Sequence, residues 1–78
     1  MRKIRFSKRY DYGDLVGARY KGHSIDCAAS PRRTSQWNVC VRAASGELVA
    51  EVTYRGKSRR AMLMLGAESA GLVSVTNT

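Results

Sequence analysis

The stretch QWNVCVRAASGELVAEVTYR, residues 36–55, decides the fold. Across 36–43, Trp37, Val39 and Val41 share one parity, and Asn38, Cys40 and Arg42 the other. A period of two belongs to an extended chain whose successive side chains point to opposite faces, so this run predicts a strand with one apolar face. Ala44-Ser45-Gly46-Glu47 breaks the pattern as a turn. Leu48, Ala50, Val52 and Tyr54 then alternate with Val49, Glu51, Thr53 and Arg55. Two alternating runs joined by a short Gly-containing turn predict a β-hairpin.

Upstream, Ser30-Pro31-Arg32-Arg33-Thr34-Ser35 holds the sole proline, hydroxyl residues and two adjacent arginines, and predicts a loop. Before it, 24–29 alternates with Ile25, Cys27 and Ala29 opposite Asp26. Lys21-Gly22 separates this run from a short strand over 15–20, and the glycine supplies the positive φ of a tight hairpin turn. Gly13-Asp14 marks another break. Further out, Ile4, Phe6, Tyr10 and Tyr12 share a parity interrupted by Lys8, with Lys3, Arg5, Ser7, Arg9 and Asp11 on the other. Residues 1–13 therefore predict an extended basic arm or an edge strand, where charged side chains discourage edge-to-edge pairing.

Downstream, 58–65 satisfies two patterns. Ala61, Met62, Leu63, Met64 and Leu65 favour a helix that Ser58 would cap and that would reach Gly66 or Gly71. Arg59 and Arg60 would then oppose the helix dipole in the first turn. A strand is weakly preferred, because Tyr54-Arg55-Gly56-Lys57-Ser58 echoes Tyr20-Lys21-Gly22-His23-Ser24 and suggests a second tight turn. Residues 67–70 would form one helical turn, and Leu72, Val73 and Val75 a last strand or packed tail.

The sum is a mainly β or α+β domain: four to six short strands in an antiparallel meander or a small SH3-like or OB-like barrel, with at most one short helix. A chain of 78 residues is one domain. It buries only about 60% of its unfolded surface, so homo-oligomerisation is one route to additional core. Apolar residues at 44% argue against disorder. Two cysteines, Cys27 and Cys40, do not make a disulfide scaffold; buried free thiols are expected, with a single bridge the alternative. No apolar stretch follows the basic residues 1–9, and the longest apolar run, 61–65, falls far short of a bilayer span, so a cytoplasmic location is expected.

No catalytic constellation emerges, and the chain is expected not to be an enzyme and to need no cofactor. The single histidine, His23, sits beside a turn. His23, Cys27 and Cys40 do not complete a structural zinc site, so no metal is expected. Gly56-Lys57-Ser58 ends like a phosphate-binding loop, but Glu51 stands where that motif needs a glycine. Asp11, Asp14, Asp26, Glu47, Glu51 and Glu68 form no recognisable acid–base pair; Glu47 and Glu51 would pair with Arg42 or Arg55 at the hairpin surface.

Charge carries the functional signal. The net charge of +8 predicts attraction to a polyanion. Arg2, Lys3, Arg5, Lys8 and Arg9 load the N-terminal segment, Arg32 and Arg33 the loop, and Arg55, Lys57, Arg59 and Arg60 the segment around Gly56. These eleven are the expected phosphate contacts of a non-catalytic nucleic-acid-binding module, with aromatic residues among them for stacking. Parity assigns Phe6, Trp37 and Tyr54 to the core, leaving Tyr10, Tyr12 and Tyr20 as candidates for exposure. The alternative is a protein-interaction or structural module with an acidic protein partner, using the N-terminal edge or the Met62-Leu63-Met64 stretch.

Overall fold

The computed structural model describes residues 4–32 and 35–73. Five strands follow one another: β1 (Ser7–Asp11), β2 (Leu15–Tyr20), β3 (His23–Ala29), β4 (Gln36–Arg42) and β5 (Leu48–Arg55). They form one antiparallel sheet in the order β1-β2-β3-β4-β5, an uninterrupted meander. β1 and β5 are its two edges and do not pair with each other, so the sheet stays open and the barrel alternative is not adopted. A helix, α1 (Arg59–Ser69), packs on β3, β4 and β5.

The alternating parities set the faces. Val39 pairs with Cys27 on one side and Val52 on the other, and Val41 with Ile25 and Ala50. That row meets α1, and Ile25, Val39, Val41, Met62 and Ala67 are completely buried. The helix approaches closely because position 66 is glycine: a Cβ there would lie 2.8 Å from Val39 Cγ1 and 3.2 Å from Ile25 Cγ2. The β2–β3 turn places both Lys21 (φ 49°) and Gly22 (φ 76°) in the left-handed region. This is the twist-matched turn favoured by two-residue hairpins.

The segment 58–65, weakly preferred as strand, opens the helix instead: Ser58 is its N-cap, and α1 runs unbroken from Arg59 to Ser69, so the separate helical turn expected over 67–70 belongs to the same element. Two features outweigh the unfavourable first-turn arginines. The Ser58 hydroxyl accepts a 3.1 Å hydrogen bond from the Ala61 N–H, capping the start. Met62, Gly66 and Ala67 then fall on one buried stripe against the sheet. The helix ends on Gly71 (φ 76°), with the Leu72 N–H donating to Ala67 O and the Gly71 N–H to Glu68 O, a Schellman closure. Leu72 and Val73 form no strand; Val75 lies outside the described residues. The echo between 20–24 and 54–58 is therefore not structural: the first is a hairpin turn, the second a strand-to-helix connection.

At β1 the register shifts. Lys8 pairs with Ala18 but Tyr10 with Gly17, leaving Arg9 as the extra residue of a β-bulge. The bulge reverses the parity read from sequence. Phe6 packs with Tyr20 beside the core, at 5.1 Å between ring centroids. Tyr10 instead lies on the opposite face, over Gly17.

Candidate functional site

One face of the sheet carries α1; the other is bare. Its residues are the polar parities of the strands: Arg19 on β2, Ser24 and Asp26 on β3, Asn38, Cys40 and Arg42 on β4, and Glu51, Thr53 and Arg55 on β5. Two adjoining depressions lie in this face, of about 440 Å3 and about 350 Å3, and both are lined by Asp26 and Arg42. Arg19 and Ser24 help line the first, with the turn residues Gly22 and Gly46; Tyr10, Asn38 and Glu51 help line the second.

Asp26 organises the β1 side. Its Oδ1 accepts a 2.7 Å hydrogen bond from the Tyr10 hydroxyl and faces Arg9 Nη1 at 3.6 Å. A side chain at position 17 would overlap the Tyr10 ring, so glycine there lets the ring lie against the sheet. Tyr12 stacks on Tyr10 with centroids 5.4 Å apart and planes 19° apart, and it is 73% exposed. The hydrogen bond to Asp26, with burial adding to it, pushes the Tyr10 phenol up to about 12.

The expected phosphate contacts separate into groups. Arg32, Arg55 and Lys57 are exposed at one end of the sheet, brought together because Gln36 pairs with Arg55 and the Gly56 N–H donates to Ser35 O at 2.8 Å. Arg5 precedes β1 at the opposite end, beside the pairing of Ser7 with Arg19, and Lys8 is exposed on the β1 edge. Arg9 is engaged with Asp26. Arg60 is exposed, 6.0 Å from the Phe6 ring centroid. Arg2, Lys3 and Arg33 lie outside the described residues.

Arg59 is half-buried and committed to the fold. Its guanidinium sits 4.6 Å from the Trp37 ring centroid, 3.5 Å from Asp11 Oδ2, and donates a 2.9 Å hydrogen bond to Gly13 O. Arg19 and Arg42, absent from the sequence-based set of phosphate-binding residues, stand on the bare face near the ends of β2 and β4. Their parity opposite the apolar row was the available signal.

Cys27 faces the helix and Cys40 the bare face, and both are free thiols, so the alternative of a bridge between them is not realised. Cys40 Sγ donates to Glu51 Oε2 at 3.7 Å, and Arg42 to Gly46 O at 3.2 Å. Neither Glu47 nor Glu51 forms an ion pair with Arg42 or Arg55 among the described residues. His23 Nδ1 lies 2.9 Å from Lys21 O within its own turn. Among the described residues no three His, Cys, Asp or Glu side chains are grouped as a metal site, and no helix is long and apolar enough to cross a membrane. Comparison with known protein families, with curated proteins and with solved structures finds no match for this chain.

Proposed function

We propose that this protein is a non-catalytic module that binds nucleic acid through phosphate contacts, using the bare face of its sheet and the basic groups around it. The observation that carries this is the pairing of an uncovered sheet face with Arg19, Arg42 and Arg55, none of which has an acidic partner among the described residues. A flat strand array with cations standing on it accepts an extended backbone, and cation–phosphate contacts release counterions. Tyr12 adds an exposed aromatic surface on which an unpaired base can stack, which favours single strands over duplex. Arg32, Arg55 and Lys57 extend the positive surface at one end. The two free thiols suit a reducing compartment, in keeping with a cytoplasmic location.

The test is fluorescence anisotropy with labelled single- and double-stranded DNA and RNA at several salt concentrations. Binding that persists near physiological salt, with single strands preferred, is the expected result. In the variant R19A/R42A affinity falls for every sequence, and the slope of log K against log salt shrinks by about 0.7 for each phosphate no longer neutralised. Binding confined to low salt, or a slope unchanged in that variant, would reject the bare face as a nucleic-acid surface and favour an acidic protein partner.

A further inference from the structure

The two edges of the sheet are not alike. β1 carries a bulge at Arg9 and the basic side chains Lys8 and Arg9, devices that keep a second strand away. β5 is less guarded: its own register shift falls at Val49, near its start, and its one basic residue, Arg55, is its last. It is eight residues long, contains neither proline nor lysine, and its register against β4 runs unbroken from Arg55 to Ala50. No strand of the described chain pairs with its outer edge.

The pairing with β4 shows which backbone groups that edge presents. The Gly56 N–H donates inward to Ser35 O, and alternation then turns Tyr54, Val52 and Ala50 inward to β4 as well. The N–H and C=O groups of Arg55, Thr53 and Glu51 therefore point away from the sheet. The side chains of Glu51 and Arg55 stand on the bare face, exposed, and neither has an ion-pair partner among the described residues. Four positions apart on one strand, they are about 13 Å from each other and cannot pair within the chain.

The geometry points to β5 as a self-complementary edge that pairs antiparallel with β5 of a second copy of this chain, with Thr53 of each copy on the two-fold axis. In this register Glu51 stands opposite the partner subunit's Arg55, and Arg55 opposite the partner's Glu51. Both residues belong to the outward-pointing row, so the same register forms about six backbone hydrogen bonds. On the helix side, half-buried Val52 meets the partner's Tyr54, and Tyr54 the partner's Val52. Neighbouring registers lose this match: a shift one way sets Glu51 against the partner's Glu51, and a smaller one sets it against the partner's Thr53. Charge thus selects the register as well as the partner, as an isologous interface requires. The joined sheet would have ten strands with the two bare faces continuous, whatever ligand those faces take.

The experiment is analytical ultracentrifugation of the chain from about 10 µM to about 1 mM in about 0.15 M salt, where charges beyond about 8 Å are screened. The wild type is expected to dimerise reversibly within that range. E51R and R55E should each weaken the dimer by about tenfold or more, and E51R/R55E should restore it to within about threefold of wild type. R55E lowers the net charge and so eases the general repulsion between copies; weakening in that variant identifies the local pair. Thr53→Pro removes an outward N–H without touching the β4 ladder, and should abolish association while circular dichroism retains the sheet. A wild type that stays monomeric throughout would overturn the proposal, and so would a dimer indifferent to R55E and Thr53→Pro.

Discussion

Tyr10 and Asp26 are sixteen positions apart in sequence and joined by a 2.7 Å hydrogen bond across the bare face, with the phenol donating. That bond exists only while the phenol keeps its proton, which is why the hydroxyl titrates at about 12 rather than at its ordinary value of 10.0. The proton is held more tightly in the folded state than in the unfolded chain. The stabilisation it gives is complete below pH 10 and is lost as the pH rises towards 12. Spectrophotometric titration of the phenols should show one late group in the wild type. It should be absent in Tyr10→Phe, and should move down towards the ordinary value in Asp26→Asn. A late group that persists in Tyr10→Phe would place the effect on another tyrosine.

Arg59 joins α1 to the far side of the sheet. It spans Trp37 on β4, Asp11 at the end of β1 and the Gly13 carbonyl in the turn beyond. Replacing it by alanine should destabilise the fold by about 1 kcal/mol, mostly because the guanidinium no longer covers the indole face, since a partly exposed ion pair contributes little. Trp37 fluorescence should change at the same time. The Gly13 N–H, with the Arg59 guanidinium beside it, holds the Asp11 carboxyl below its usual range. Its contribution is therefore present at neutral pH and lost as pH falls through that lowered value. Wild-type stability in Arg59→Ala, measured by urea unfolding, would show that the clamp contributes nothing.

The strands were legible because their apolar and polar parities are clean. From Leu15 to Arg55 each strand falls where alternation and turn residues place it. Two features were not legible, for different reasons. The bulge at Arg9 inserts one residue and turns Tyr10 to the other face; nothing in the local pattern of Phe6, Lys8 and Tyr10 marks it, because what holds it is the distant pair of Gly17 and Asp26. The helix at Arg59 is decided by tertiary packing, which turns an ambiguous run of Ala, Met and Leu into an amphipathic stripe seated on β3, β4 and β5. The bare face follows the same logic. The residues that line it were visible as the polar parity, but that this face would lie open depended on which side α1 covers.

The two thiols should differ in reactivity by their faces. Cys27 is 1% exposed, and burial, with Asp26 nearby, pushes it up to about 12, so almost none is thiolate at pH 8. Cys40 is half-buried on the bare face and shifted in the same direction, by burial first and then by Glu51. Alkylation of the native protein at pH 8, followed by mass spectrometry, should label Cys40 slowly and Cys27 only on unfolding. Glu51→Gln should speed the labelling of Cys40 and leave Cys27 unchanged. Equal rates at both cysteines in the native protein would contradict their placement on opposite faces.

Gly66 sets the distance between α1 and the sheet, and there helix propensity and packing pull in opposite directions. Alanine in place of an interior helical glycine ordinarily adds about 1 kcal/mol of stability. Here the new Cβ would stand 2.8 Å from Val39 Cγ1, 3.2 Å from Ile25 Cγ2 and 3.4 Å from Val41 Cγ2, all branched side chains that are themselves fully buried. Overpacking of this kind costs about 1–3 kcal/mol, more than the propensity gain, so Gly66→Ala should lower stability by about 1 kcal/mol. Val39→Ala removes the nearest of those methyls and opens a cavity of its own, so it too destabilises. Combined, the two changes should cost less than the sum of their separate effects, because each relieves the fault the other creates. Denaturant unfolding of the four chains in this cycle measures the coupling. If Gly66→Ala instead raises stability by the full propensity increment, the helix does not approach the sheet as closely as the Gly66–Val39 distance requires.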